Sequence, residues 1–306
     1  MKVFVTGATG FIGYSTVKEL INAGHQVLGL ARSEAGAQSL IAAGAEVHRG
    51  NLEDMESLRS GAAQADGVIH LAFDHSAFGQ DFSKFAEVCE KDKRAIEALG
   101  AALIESDGGS DRPLLITSGT GLGNAVPGQL ATEDHFDANH SNPRKGSELA
   151  GASVAGRGVN VSVVRLPQVH DTVKQGLITY AVQLAREKGV SAYIGEGLNR
   201  WPAAHVLDVA HLYRLALEKG EVGSRYNAVA EEGIPMREIA AVIGKGLKVP
   251  VVSLPPEKAQ AHFGWLTMFA GFDMPASSAQ TRKQLGWNPT GPGLIADLEN
   301  MQYFKV

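Results

Sequence analysis

The sequence holds a single cysteine, Cys89, in 306 residues. No disulfide can form within the chain, and such usage fits a reducing compartment. Cys89 itself reads as a small buried helix residue and not as a catalytic thiol. An excess of positive charge is also missing: 28 Lys and Arg against 33 Asp and Glu leave a formal net charge of −5. Proteins that grip nucleic acid or an anionic membrane surface favour a basic face, so neither partner is expected. No apolar run approaches the ~18 residues of a membrane span. The N-terminus passes directly into a strand-like run, so no signal peptide is expected and the location expected is cytoplasmic. Internal repeats, low-complexity tracts and Pro-rich linkers are lacking too. What remains is an ordinary globular composition, 44% hydrophobic and 20% charged, long enough for one large α/β domain or a domain with a smaller partner. A monomer or homodimer acting on a small molecule is the expectation.

The informative stretch lies at the start. Lys2-Val3-Phe4-Val5-Thr6 is a β-branched apolar run that breaks into Gly7-Ala8-Thr9-Gly10-Phe11-Ile12-Gly13, and Val17, Leu20 and Ile21 follow at helical spacing. Strand, glycine turn and helix together put a helix N-terminus against a pyrophosphate. Gly7 permits the tight turn, Gly10 lets the backbone approach the phosphates, and Gly13 lets helix and strand lie close.

Further apolar strands at Gln26–Leu30, Glu46–His48, Gly67–Leu71, Leu114–Thr117 and Val159–Val164 alternate with helical stretches, one at Ser33–Ala43 and a long one at about Phe82–Ile104. A loop is expected over Phe73–Gln80. This rhythm predicts an α/β fold, a Rossmann-type doubly wound parallel sheet with its ligand at the strands' C-terminal ends. The pattern then loosens into helices at about Leu177–Lys188, Asp208–Lys219 and Met236–Lys245, with short strands at Ala192–Ile194 and Val249–Leu254. A dinucleotide domain over 1–165 is expected. A smaller, interleaved substrate region over 166–306 follows, with a segment at about 200–228 returning to the core.

Enzymes that prefer NAD usually place a carboxylate after the second strand, for the ribose 2′-hydroxyl. Here the residues are Leu30-Ala31-Arg32-Ser33. Arg32 can hold a 2′-phosphate with paired donors, and Ser33 can add a hydroxyl while capping the next helix, which favours NADP over NAD. The alternative is a solvated surface arginine beside a capping serine.

These residues resemble the extended and atypical branches of the short-chain dehydrogenase/reductase superfamily, of NAD(P)-dependent epimerase/dehydratase type. The likeness covers nearly the whole chain: Thr6–Gly13 as cofactor loop, Gly50-Asn51-Leu52-Glu53-Asp54 on the adenine side, and His70-Leu71-Ala72 beside the cofactor. It continues through Thr117–Gly123 after the fifth strand, Arg165-Leu166-Pro167, His205–Ala210 and Leu285–Pro289. The resemblance implies cofactor contacts at Gly7, Thr9, Gly10, Phe11, Ile12, Gly13, Asn51, Leu52, Leu71 and Ala72, and it puts the family's catalytic serine at Ser118. It fails at the catalytic tyrosine and lysine, whose positions match His140 and Arg144. His140 could act as the acid, its ordinary pKa of about 6.5 lying near working pH. Arg144 could bind the ribose but cannot shuttle a proton, and Lys145 is another ribose candidate. Pro143 is best tolerated in a first helical turn, so the helix is expected to begin near Asn142 or Pro143, with His140 ahead of it. Tyr180, Tyr193 and His170 lie in segments that could reach the cleft. Phe263, Trp265, Phe269 and Phe272 suggest an apolar cover for a hydrophobic substrate. No metal-ligand spacing is present. An oxidoreductase acting on a small apolar carbonyl or alcohol is the leading expectation. A non-catalytic dinucleotide sensor and a nucleotide-sugar epimerase or dehydratase are the alternatives.

Overall fold

In the computed structural model the described residues are 1–78, 81–107, 111–126 and 128–302. The last two positions of the Phe73–Gln80 loop and the last four of the C-terminal region lie outside them. Strands β1 (Lys2–Thr6), β2 (Gln26–Ala31), β3 (Glu46–Arg49), β4 (Gly67–His70), β5 (Pro113–Gly119) and β6 (Asn160–Leu166) alternate with helices α1 (Phe11–Asn22), α2 (Glu34–Ala42), α3 (Met55–Ala63), α4 (Phe85–Asp107) and α5 (Lys145–Ala155). Beyond them come β7 (Gln168–His170), α6 (Ile178–Lys188), β8 (Ser191–Ile194), β9 (Arg200–His205), α7 (Val206–Lys219), β10 (Arg225–Asn227) and β11 (Glu231–Pro235). Helix α8 (Met236–Leu247), β12 (Val251–Leu254), α9 (Pro256–Phe263), α10 (Thr267–Ala270), α11 (Ala279–Leu285) and α12 (Leu294–Glu299) complete the chain.

The main sheet runs β10-β6-β5-β4-β1-β2-β3, and its pairings are parallel throughout. Its strands read as continuous apolar runs because both faces are covered. Val3 and Val5 turn towards Val17 and Leu20 of α1, Leu40 of α2 and Leu212 of α7. Phe4, between them, points the other way, towards Leu58 of α3, Ile96 and Leu99 of α4 and Val154 of α5. The chain therefore forms the doubly wound sheet its sequence implies. The loops after β1 and β4 leave neighbouring strand ends towards opposite faces, which opens the crevice where such sheets take ligands.

The later residues build a three-stranded sheet, β11-β9-β7, and a two-stranded one, β12-β8. Helix α7 begins at Val206, two residues ahead of the expected start, because His205 Nδ1 accepts the Leu207 N–H at 3.3 Å. Trp287 Nε1 donates to the Asp208 carbonyl at 2.9 Å, while the Asp208 carboxylate accepts the N–H groups of Thr290 and Gly291. This clasp holds the C-terminal segment against α7.

Candidate functional site

The glycine loop packs as its three glycines require. Gly7 has φ +67°, and a Cβ there would lie 2.7 Å from the Ala72 nitrogen. A Cβ on Gly13 would lie 2.0 Å from the Gly7 carbonyl oxygen, so the first turn of α1 rests directly on the loop. Gly10 caps α1 without a side chain. The first bond within the helix is Tyr14 N–H to the Gly10 carbonyl, at 2.9 Å. The N–H groups of Phe11, Ile12 and Gly13 thus have no carbonyl partner in the helix and carry the positive end of its dipole. These features fit the pyrophosphate of a dinucleotide.

At the end of β2, Ser33 accepts the Gly36 N–H at 3.2 Å and caps α2. A Cβ on Gly36 would stand 3.0 Å from the Thr9 methyl, so the start of α2 touches the glycine loop. Arg32 is exposed and makes no hydrogen bond or ion pair among the described residues, whereas nearby Arg49 is held by Glu34 and the Ser33 carbonyl. Asn51 turns its Oδ1 onto the Glu53 N–H at 2.8 Å, and Leu52 packs against the Leu28–Leu58 side of the core.

Beneath the loop runs a buried polar chain. Ala72 N–H donates to Thr6 Oγ1 at 3.2 Å, so the threonine's own proton goes to His70 Nδ1, 2.7 Å away. His70 Nε2 then donates to Asp92 at 3.2 Å. The other Asp92 oxygen takes Ser147 Oγ at 2.6 Å and Arg144 Nη1. Burial pushes the Asp92 carboxyl up, but the Arg144 charge and the His70 and Ser147 hydrogen bonds outweigh it and hold the pKa at about 2. Arg144 Nη2 donates to the Thr117 carbonyl at 2.8 Å, and the guanidinium lies over the Phe73 ring at 4.1 Å. One residue on, at the C-terminal end of β5, Ser118 Oγ is buried with no hydrogen-bond partner among the described residues. Thr117 Oγ1 is satisfied by the His70 carbonyl and Tyr213.

Helix α5 starts at Lys145, two residues later than Pro143, after a turn in which the Lys145, Gly146 and Ser147 N–H groups donate to Asn142, Pro143 and Arg144 carbonyls. His140 lies ahead of it, half-buried, with Nδ1 accepting the Asn142 N–H at 3.0 Å. His140 and Arg144 therefore do not share a helix face. Lys145 is half-buried, and its ammonium has no partner among the described residues. The structure brings Ser118, Arg144, Leu71, Ala72 and the glycine loop together through the Asp92 chain, and it sets Arg32 and Ser33 at the loop's other side. His170 is fully buried and bonded to Asp297 at 2.7 Å. Burial lowers its pKa despite that carboxylate. Tyr180 meets Trp265 edge-on, both pack against the cluster in which Phe263 is buried, and Phe272 is exposed. Two residues at the site escape a reading of the sequence. Asp92 sits in the charged run Lys91-Asp92-Lys93, which looks solvated. Lys174, 5.8 Å from the Phe11 ring, follows a strand of three residues.

The chain matches the family model described as NAD dependent epimerase/dehydratase family over residues 3–228. An uncharacterized protein of Schizosaccharomyces pombe is 47% identical to it over 305 residues, covering 99% of this chain and 100% of that protein. One of Saccharomyces cerevisiae is 44% identical over 302 residues, covering 97% and 98%. Among solved structures, a dTDP-glucose 4,6-dehydratase from Streptomyces venezuelae with NAD bound superposes with a TM-score of 0.76 at 18% identity, covering 99% of this chain and 96% of that one.

Proposed function

The chain belongs to the NAD-dependent epimerase/dehydratase family, and from that premise we propose that it is an NADPH-preferring oxidoreductase for a small, apolar carbonyl or alcohol. The observation that carries this reading is Ser118 Oγ, a buried hydroxyl without a partner at the end of β5. An unsatisfied buried hydroxyl costs about 1–3 kcal/mol, a cost a substrate oxygen removes by accepting from it. When bound, the nicotinamide supplies hydride to the carbonyl carbon. Ser118 donates to the carbonyl oxygen and stabilises the charge that develops there. The proton that completes the alcohol comes from His140, whose Nε2 is free, or from water. Arg144 is engaged with Asp92 and the Thr117 carbonyl, so the ribose contact falls to Lys145. Arg32, unpartnered beside Ser33, supports a 2′-phosphate and hence NADPH.

A nucleotide-sugar substrate is less well served. Arg200 of β9 is held by both oxygens of Asp273 and by the Gly128 carbonyl. The sealed Arg144–Asp92 pair favours one rival reading, a dinucleotide-binding sensor. Following NADPH absorbance across a panel of apolar aldehydes and ketones tests the choice. Steady oxidation with at least one carbonyl is expected, whereas firm NADPH binding with no oxidation across the panel would establish the sensor.

A further inference from the structure

Lys174 brings a positive charge to the crevice from the C-terminal half. Its ammonium lies 5.8 Å from the ring of Phe11, the first residue of α1, whose N–H is among those the helix leaves without a carbonyl. Its other neighbour is the loop after β4. Desolvation lowers the His75 pKa there, and the charges of Lys174 and Arg144 add to that shift against the pull of the Phe73 carbonyl. The ammonium therefore sits beside both the start of α1 and the loop after β4, although the loop after β7 carries it. Lys174 is exposed and has no hydrogen bond or ion pair from its side chain among the described residues. Arg144 is engaged with Asp92, and Asp74, the carboxylate next to His75, with Lys91 at 2.6 Å.

The loop that carries Lys174 is tied down at its backbone. Asp171 Oδ1 accepts the N–H groups of Val173 and Lys174, both at 2.7 Å, and the Asp171 N–H donates to the Lys174 carbonyl at 2.9 Å. Behind them Gln175 is fully buried, and the Thr172 carbonyl accepts the Gln302 N–H at 2.9 Å. Packing does not require an ammonium on this fixed backbone. At 5.8 Å the Phe11 ring is near the outer limit of a cation–π contact and accounts for little of the placement. A dinucleotide's pyrophosphate does require a cation. Each of its phosphates brings a negative charge, a helix N-terminus offers about half a positive one, and Gly7–Gly13 contains no Lys or Arg. We propose that Lys174 binds the pyrophosphate of the dinucleotide, so that the C-terminal half supplies the counter-charge the glycine loop lacks. The inference rests on the dinucleotide of the proposed function, and not on its NADPH preference or its carbonyl substrate.

Calorimetric titration with NADPH, NADH and ADP-ribose tests this without turnover; ADP-ribose holds the pyrophosphate but no nicotinamide. Lys174→Met keeps the length of the side chain and removes its charge. It should weaken all three ligands by a similar factor, about ten- to a hundredfold, while Lys174→Arg stays within about threefold of the wild type. The thermal melt without ligand should not move, since the side chain has no partner among the described residues to lose. Raising the salt from about 0.1 M to about 1 M should narrow the gap between wild type and Lys174→Met, because salt screens an exposed charge. Unchanged affinities in Lys174→Met, or a gap that salt leaves as wide, would overturn the proposal. So would a loss confined to NADPH, which would put the lysine on the 2′-phosphate. A loss confined to NADPH and NADH would also overturn it, by moving the lysine to the nicotinamide. A wild type that binds none of the three would remove the dinucleotide reading together with this one. Firm wild-type binding that Lys174→Met leaves intact would remove this inference alone.

Discussion

Arg144 directs one arm of its guanidinium into the Asp92 carboxylate and the other onto the Thr117 carbonyl. Arg144 is thereby a fixed positive charge that does not lose its proton. Asp92 also anchors His70, and through it Thr6 and the Ala72 backbone under the glycine loop. Asp92→Asn should cost about 3–5 kcal/mol, since it leaves a largely buried guanidinium without its counter-charge. The wild-type pH profile should carry the same signature. The folded carboxyl sits at about 2 against about 4 in an unfolded chain. Its contribution is therefore complete above the unfolded value and is lost as pH falls from about 4 to about 2. Urea midpoints measured over that range should fall more steeply for wild type than for Asp92→Asn; parallel curves would contradict the pairing.

The proposed preference for NADPH rests on one exposed side chain. Arg32→Ala should weaken NADPH binding by about 1.5–3 kcal/mol, the worth of a hydrogen bond to a charged group, and leave NADH binding unchanged. Fluorescence titration of both cofactors against both proteins measures this. Equal affinities in the wild type would rule out the 2′-phosphate role.

Gly10, which caps α1, and Gly13, within it, should behave differently. At Gly10 the nearest protein atom to a new Cβ is the Gly7 carbonyl, at 3.1 Å. Gly10→Val should therefore keep the fold and block the approach of the pyrophosphate. At Gly13 even alanine would press to 2.0 Å from that carbonyl, so Gly13→Ala should lower the melting temperature as well as abolish binding. Circular dichroism melts beside dinucleotide titrations separate the two outcomes.

Turnover should depend on Ser118 more than on His140. Ser118→Ala should reduce kcat/KM by tens- to hundreds-fold, about the loss of one transition-state hydrogen bond. His140→Phe should slow the reaction further only if the acid is His140 and not water. A silent His140→Phe beside a damaging Ser118→Ala would assign the proton to water. Two silent substitutions on a substrate known to react would move the site elsewhere.

The parallel sheet is legible in the sequence because buried parallel strands are written as apolar runs and glycine loops have local spacing. The stretch from β1 to α1 needs nothing beyond neighbouring residues. The short strands β7 and β10, three residues each, carry too little periodicity to find, and β9 is broken up by Pro202. Helix α3 is polar enough to pass for a loop, although Asp54 capping the Ser57 N–H is a local start signal. The partner of Arg144 lies fifty-two residues upstream, and no spacing rule spans that distance. Of the four aromatics that suggest an apolar cover, Phe263 is buried with Trp265 and Phe269 packed against its cluster, whereas Phe272 is exposed.

The outermost strand next to β6 is β10, contributed by Arg225–Asn227 after the chain has already made β7, β8 and β9. During synthesis, β6 therefore waits with a bare edge until those residues leave the ribosome, and such an edge is a template for pairing with another chain. A gene cut after residue 165 should yield a fragment that aggregates, and one cut just beyond Asn227 should fare better. Folding of the first half is thus timed by the translation of the second.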